Sequence, residues 1–540
     1  MRKLLLIAVT ALTACLIVWG DDWPSQGGNP QRDGWAKYEK GFTKQNVGGL
    51  QLLYTYQADN QAKGLNALTA PLVNGLLITY RGFKEMLVFG GSSDTVYSVD
   101  ADLNRLIWKT QLPVKAQASG EEKHADSCPG GLTAALAMPG SSTASGRGNG
   151  FRRVPVPVTP AGALPLKPLP PVTLPPSVIP PKPGLLATGF GRPGAFLAVG
   201  SDGSLHVLNT STGADRVPPI PFLPAGANVS SLNISNDTVY AATSGDCGGN
   251  PNALYAADLS SDTPKIASFL TNGAGPAGTL GTAIDKNGTV YAQISSGRGE
   301  LAGAYNNSVV ALTSKTLAEK DYFTPESKQN AVASGATPMV FDWKGKELLL
   351  AAGGDGSLYL LNPASLGGAD HHQPLSKTDP VANGFRGGFA SWEDTATGTR
   401  WVYASLGGPA LSSAHFPAEN GKAAHGSVLA FTVQEQSGHP ALVPAWISRD
   451  MIAPAPVVIA NGIVFALAGG DSNNKKNSHA VLYALDAATG KELYSSQSLI
   501  RSFSHNGGLA IANRRIYFTT HDNAVYCFGF FADQLQLTGR

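Results

Sequence analysis

Short apolar runs that stop at an acidic or amide residue recur along the whole chain. The clearest is Leu482-Tyr483-Ala484-Leu485-Asp486-Ala487-Ala488-Thr489-Gly490-Lys491-Glu492-Leu493-Tyr494. A cousin near the N-terminus runs Val96-Tyr97-Ser98-Val99-Asp100 and on to Leu106-Ile107-Trp108. Weaker copies begin at Leu205, Leu254, Val309, Leu358, Val428 and Val525. Most spacings are roughly 43 to 70 residues and one is about 110, the period of a repeated supersecondary unit. Each run predicts a strand buried on both faces. The Asp or Asn that ends it, such as Asp100 or Asp486, can accept hydrogen bonds from the backbone of the following turn. Gly490 and Gly213 then supply the positive φ that the turn requires. A further strand follows and ends on an aromatic, Trp108 or Tyr494. Ahead of the runs lie earlier strands such as Leu87-Val88-Phe89-Gly90-Gly91 and Ala455-Pro456-Val457-Val458. Four strands per period make one blade of a β-propeller.

The chain ends extend this reading. The last copy stops after its third strand, near Phe528, while Leu50-Gln51-Leu52-Leu53-Tyr54-Thr55-Tyr56 is a strand without a unit. Pairing the two completes a sheet and leaves no open edge. The expected fold is all-β: an eight-bladed β-propeller of four-stranded antiparallel blades, closed by pairing of its N- and C-terminal strands, over residues 21–540. One stretch breaks the pattern. Residues 154–184 carry about a dozen prolines, which fix φ and lack an N–H, so extended polyproline II is expected there. They form the centre of a Pro-rich insertion, residues 141–190, in the second blade, read as a spacer or a docking arm for a partner.

Composition narrows the function. Charged residues are 14%, with 63 Gly and 37 Pro, which suits short strands joined by many turns. The net charge is +2 and no basic run stands out, which argues against a nucleic-acid groove or an anionic-membrane patch. At the N-terminus, Arg2-Lys3 precede an apolar stretch over residues 4–14, too short and too terminal for an ordinary transmembrane helix. Residues 1–20 read as a signal peptide. Leu12-Thr13-Ala14-Cys15 resembles a bacterial lipobox, which would leave a lipidated Cys15; cleavage after Gly20 is the other route. The expected location is periplasmic or secreted, with membrane contact only through such an anchor, and a monomer is expected. No Cys-x-x-Cys or Cys-x-x-Cys-His motif is present, so neither a zinc nor a haem site is expected.

The segment Leu485-Asp486-Ala487-Ala488-Thr489-Gly490-Lys491 resembles the repeat of pyrroloquinoline quinone (PQQ) enzymes. Trp23-Pro24, Gly27-Gly28-Asn29-Pro30 and Asn46-Val47 resemble the opening of quinoprotein alcohol dehydrogenases. The resemblance spans nearly the whole mature chain, and the family includes BamB-like scaffold propellers. It implies that Asp100, Trp108, Asp486, Gly490 and Tyr494 are structural, docking one blade on the next. PQQ and calcium are implied as cofactors only where the enzyme chemistry is kept. That chemistry needs cations for three carboxylates, oxygen ligands for calcium and a carboxylate base. The resembling enzymes place an adjacent-cysteine disulfide beside the quinone, whereas Cys128 is single in Ser127-Cys128-Pro129-Gly130-Gly131. Where the catalytic Asp is expected, Leu301-Ala302-Gly303-Ala304 offers none, and Glu300 is the nearest acid. No residue is therefore assigned a catalytic or metal-binding role.

In such a propeller, loops between blades share one face with the loops between each blade's second and third strands. Candidate ligand-binding residues at this mouth are Glu122, His124, Asp126, Arg298, Glu300, Asp471, His479 and His505. Their carboxylates and imidazoles could hold a hard cation, with no spacing that selects one. Cys128 and Cys247 fall on the same face, which predicts a disulfide between the second and third blades. Cys527, in an apolar strand, is expected as a buried hydrophobe. The expected function is an exported, non-catalytic binding or scaffold propeller with an envelope or extracellular protein partner. The alternative is a PQQ-dependent oxidoreductase of the alcohol or sugar dehydrogenase type with an altered site. A carbohydrate- or protein-binding module is a third reading.

Overall fold

The computed structural model describes residues 21–79, 82–114, 128–140, 184–186, 194–295, 305–326, 335–411, 414–472 and 479–531. Residues 1–20, read from the sequence as a signal peptide with a candidate lipidated Cys15, and nearly all of the Pro-rich stretch 141–190 lie outside the described residues. Among those described there is no α-helix, only one-turn 3₁₀ segments at Val47–Gly49, Cys247–Gly249 and Gly368–Asp370. The rest is β-structure: a propeller whose blades are four-stranded antiparallel sheets.

The first sheet shows how the repeat becomes a blade. Leu72–Thr79, Gly82–Gly91, Thr95–Asp100 and Arg105–Gln111 pair in sequence order. Thr95–Asp100 is buried along its whole length, so both its faces must be apolar or small. Asp100 Oδ1 then accepts the N–H groups of Asp102 and Leu103, at 3.2 and 3.1 Å, and the chain reverses. Asp486 does the same for Ala488 and Thr489.

Seven sheets have four or more strands. Their innermost long strands are Leu72–Thr79, Asn233–Ser235, Ala283–Ile284, Met339–Trp343, Phe385–Asp394, Val458–Ala460 and Ala510–Ala512. The expectation of eight four-stranded blades is corrected here. The remaining sheet, Ala195–Val199, Ser204–Asn209 and Ile220–Pro221, has three strands. Residues 132–138 pair with it only at the bridge between Ala137 and Leu197. Their backbone is shared with the N-terminal segment: Ser25 bridges Ala137, and Met138 N donates to Pro24 O.

At the chain ends, Gln51–Gln57 pairs antiparallel with Ala524–Gly529, as the outer strand of the sheet that contains Arg515–Thr519. Apolar clusters fill the clefts between successive sheets, and one cluster joins the last two sheets to the first. Tryptophans key two of these clefts. Trp446 is fully buried, and its Nε1 donates to Ala487 O at 3.0 Å, beside the turn of the next sheet. Gly490 in that turn has φ +71°, and a Cβ there would lie 2.5 Å from Trp446. Trp108 repeats the contact on Thr210 O, at 2.9 Å, and Gly213. Burying such a ring contributes roughly 3 kcal/mol. Tyr494 is half-buried against the cluster that reaches the last sheet.

Residues 21–42 add a feature with no repeat signature. They form a belt that passes the inner edge of one sheet after another. Trp23 bridges Val73, Ile284 N donates to Pro30 O, and Val340 N donates to Gln31 O. Ser391 N donates to Asp33 O, Ile459 N to Gly34 O, and Arg514 N to Glu39 Oε2. The inner strands thus have backbone partners on the axis side, which satisfies groups that a bare channel would leave to water.

Candidate functional site

Above the belt, at the mouth of the axis, lies a cavity of about 140 Å³. Its walls are the residues that lead into the inner strands: Leu68, Thr69 and Ala70; Asn228 to Ser231; Gly278 and Thr279; His505 and Asn506. These loops converge tightly. At Gly278, with φ +82°, a Cβ would come within 2.2 Å of Thr337 N, so only glycine fits. Gln26 of the belt forms part of the floor, and Asn66 and Pro129 complete the rim.

The polar groups of this cavity are amides and hydroxyls. No Lys, Arg, Asp or Glu is among its described lining residues, and His505 is the one titratable side chain there. Several polar groups are already engaged. Asn66 Nδ2 donates to Gly130 O and Leu132 O, both at 3.1 Å, and so holds the loop that follows Cys128. Thr133 Oγ1 donates to Val229 O and accepts from Val229 N. Ser231 Oγ donates to Gln26 Oε1. Gln26 is 5% exposed, and its Nε2 has no partner among the described residues.

A charge does sit beneath the floor, but it is sealed. Arg32 is fully buried and adopts φ +62°. Its Nε donates to Thr282 O at 3.1 Å and its Nη2 to Leu232 O at 2.8 Å. Nη1 donates to Ser25 Oγ at 2.9 Å and to Gln26 O. No carboxylate pairs with it among the described residues. Burial pulls its guanidinium down to about 9, still a cation at neutral pH.

Cys128 and Cys247 are joined in a disulfide beside this rim, with Cα atoms 5.4 Å apart. Pro129 and Ser244, close to either cysteine in sequence, both line the cavity. Cys527 is a buried free thiol, and burial pushes it up to about 12. Of the mouth candidates, His505 lines the cavity. Asp471 and His479 lie in the loop between Ile463–Ala468 and Val481–Asp486 and do not line it. Glu122, His124, Asp126, Arg298 and Glu300 fall outside the described residues. Sequence reasoning missed Gln26, Ser230, Ser231 and Thr279. The available signal was position: each inner strand's lead-in must face the axis, as His505-Asn506 does.

The resemblance to PQQ enzymes raises the question of whether this cavity fits that cofactor. A tricyclic quinone with three carboxylates needs cations and a cavity nearer the 300–1,000 Å³ of usual small-molecule sites. The described lining offers no Lys or Arg and less than half the smallest of those volumes. Calcium needs carboxylate-rich oxygen donors. Among the described residues no three His, Cys, Asp or Glu side chains cluster as a metal site. The described residues do not fit the group.

A second, more open cavity of about 320 Å³ lies at the outer cleft by Asn420, Lys422, Arg449 and Glu492. Arg449 there is paired with Glu492 at 2.6 Å and lies over the Tyr483 ring, so that cation is already engaged.

No family model matches the chain, and no curated protein matches it. Solved structures do. A quinohemoprotein alcohol dehydrogenase from Comamonas testosteroni superposes with a TM-score of 0.56 at 13% identity, over 94% of this chain and 80% of that one. A europium-containing methanol dehydrogenase gives 0.55 at 12% identity, over 94% of this chain and 98% of that one. BamB from Moraxella catarrhalis gives 0.38 at 12% identity, over 62% of this chain and 94% of that one. At these identities the first two establish the fold: this chain has the propeller architecture of the quinoprotein dehydrogenases.

Proposed function

We propose that this chain is an exported, non-catalytic binding propeller, and that the cavity at its axial mouth is its ligand site. One observation carries the reading: the described lining is built from amides and hydroxyls and lacks the cations and carboxylates that quinone and calcium need. We read the ring as closed where Gln51–Gln57 joins Ala524–Gly529. The signal-like N-terminus supports a periplasmic or secreted location. A protein partner docking on the Pro-rich insertion, residues 141–190, belongs to the same scaffold reading.

The purified chain, incubated with PQQ and calcium and given alcohols or sugars, should reduce no electron-accepting dye. Sustained dye reduction would establish the second reading, an altered quinoprotein oxidoreductase, which the fold favours.

A further inference from the structure

Resting on the axial cavity as the ligand site, we infer that its ligand is a small uncharged polyhydroxylated ring, a single sugar ring or a cyclitol. Three features select this class. The first is size. A cavity of about 140 Å³, close to an engineered cavity of about 150 Å³ that holds benzene, has room for the ring of one such ligand, whose outer hydroxyls reach into the open mouth. The second is charge. With no acid or base other than His505 among the described lining residues, an ionic ligand would lose its hydration without gaining a counter-charge. Arg32 does not supply one, because it lies beneath the lining and four of its five N–H donors are spent on Thr282 O, Leu232 O, Ser25 and Gln26 O.

The third feature is the set of unused hydrogen-bonding groups. Gln26 Nε2 is a donor from a side chain that is 95% buried, and it has no partner among the described residues. Thr279 Oγ1 and the Asn506 side-chain amide, both on the lining, make no hydrogen bond among the described residues. Ser230 Oγ donates to Ala242 O at 3.3 Å and keeps its acceptor capacity. Donors and acceptors are thus mixed around one small space. Hydroxyl groups match such a mixture because each can donate and accept, whereas a carboxylate only accepts. A ligand hydroxyl that reaches Gln26 Nε2 meets a donor that no described protein group uses.

The test is ligand-observed NMR on the full-length mature protein with D-glucose and myo-inositol as probes and sodium acetate as the contrasting anion. At least one polyol should show saturable binding that is insensitive to salt and is not displaced by acetate. Gln26→Leu and Thr279→Val should each weaken that binding about tenfold, the worth of one buried hydrogen bond. Asn506→Gly, which keeps the left-handed backbone permitted, should weaken it less because the site is exposed. Melting curves identify any variant that merely fails to fold, and Thr279→Val carries the test if Gln26→Leu does. No saturable polyol binding, preference for acetate, or unchanged affinity in folded variants each overturns the inference. Those results leave the non-catalytic reading standing. Uptake of PQQ with calcium by the same preparation would sink that reading as well.

Discussion

The two ends of the propeller axis are lined by the same inner strands yet differ in how their polar groups are used. At the belt end, residues 21–42 meet the strands with backbone hydrogen bonds, and a bare cation, Arg32, is satisfied by carbonyls. At the mouth, Gln26 Nε2 of the belt and the Thr279 and Asn506 side chains of the lead-in loops have no partner among the described residues. The difference separates structure from function on physical grounds. A buried polar group that is fully bonded stabilises the fold, and one left over in a cavity is available to a ligand. Charge divides the same way: Arg32 and Glu85 are buried on the belt side, and the described mouth lining has neither a strong acid nor a strong base.

Three measurements would break or sharpen that contrast. The largest effect is expected at the rim. The disulfide closes a loop of 119 residues, so Cys128→Ser with Cys247→Ser should cost about 4 kcal/mol through the entropy of the unfolded chain. Denaturant unfolding measures it, and non-reducing peptide maps should recover the two cysteines linked. An unchanged midpoint would mean that the rim is held without the bridge.

Next comes the belt. Arg32→Ala removes four hydrogen bonds from a charged donor and leaves a cavity, while relieving one buried charge. The losses outweigh the relief, and about 3 kcal/mol of destabilisation is expected. A melting temperature equal to that of the parent would make the belt a passive strap.

The third effect is smaller and depends on pH. Glu85, on the belt side, accepts from Tyr517 Oη at 2.9 Å and pairs with Arg515 at 3.2 Å. Burial lifts its carboxyl from 4.5 to about 7, more than Arg515 and Tyr517 pull it down. Its folded value lies above its unfolded one, so protonation favours the fold. This contribution is full below about pH 4.5 and is lost as pH rises to about 7, a change of roughly 2–3 kcal/mol. Glu85→Gln should flatten the stability–pH curve across that window. A slope that survives the substitution assigns the linkage to another group.

The blades were legible because their signals are local. Val481–Asp486 reads as an apolar run closed by Asp486 and Gly490, and each of those residues acts within a few positions of itself. The pairing of Gln51–Gln57 with Ala524–Gly529 was legible as two half-units left at opposite ends. The belt was not, because residues 21–42 have no periodicity of their own and take their shape from the strands they bond. The three-stranded sheet departed from the repeat for the same reason, since Pro24 and Ser25 share the backbone of residues 132–138. At the mouth, Thr279 and Ser230 look like any loop residues in sequence. Only the convergence of several sheets on one axis gives them a shared cavity.

The most direct test of the uncharged mouth is equilibrium dialysis of the mature chain against PQQ in the presence of calcium, with bound quinone read from its absorbance. The predicted result is no quinone retained by the protein at any concentration below that of non-specific uptake. Retention of one quinone per chain, dependent on calcium, would contradict it.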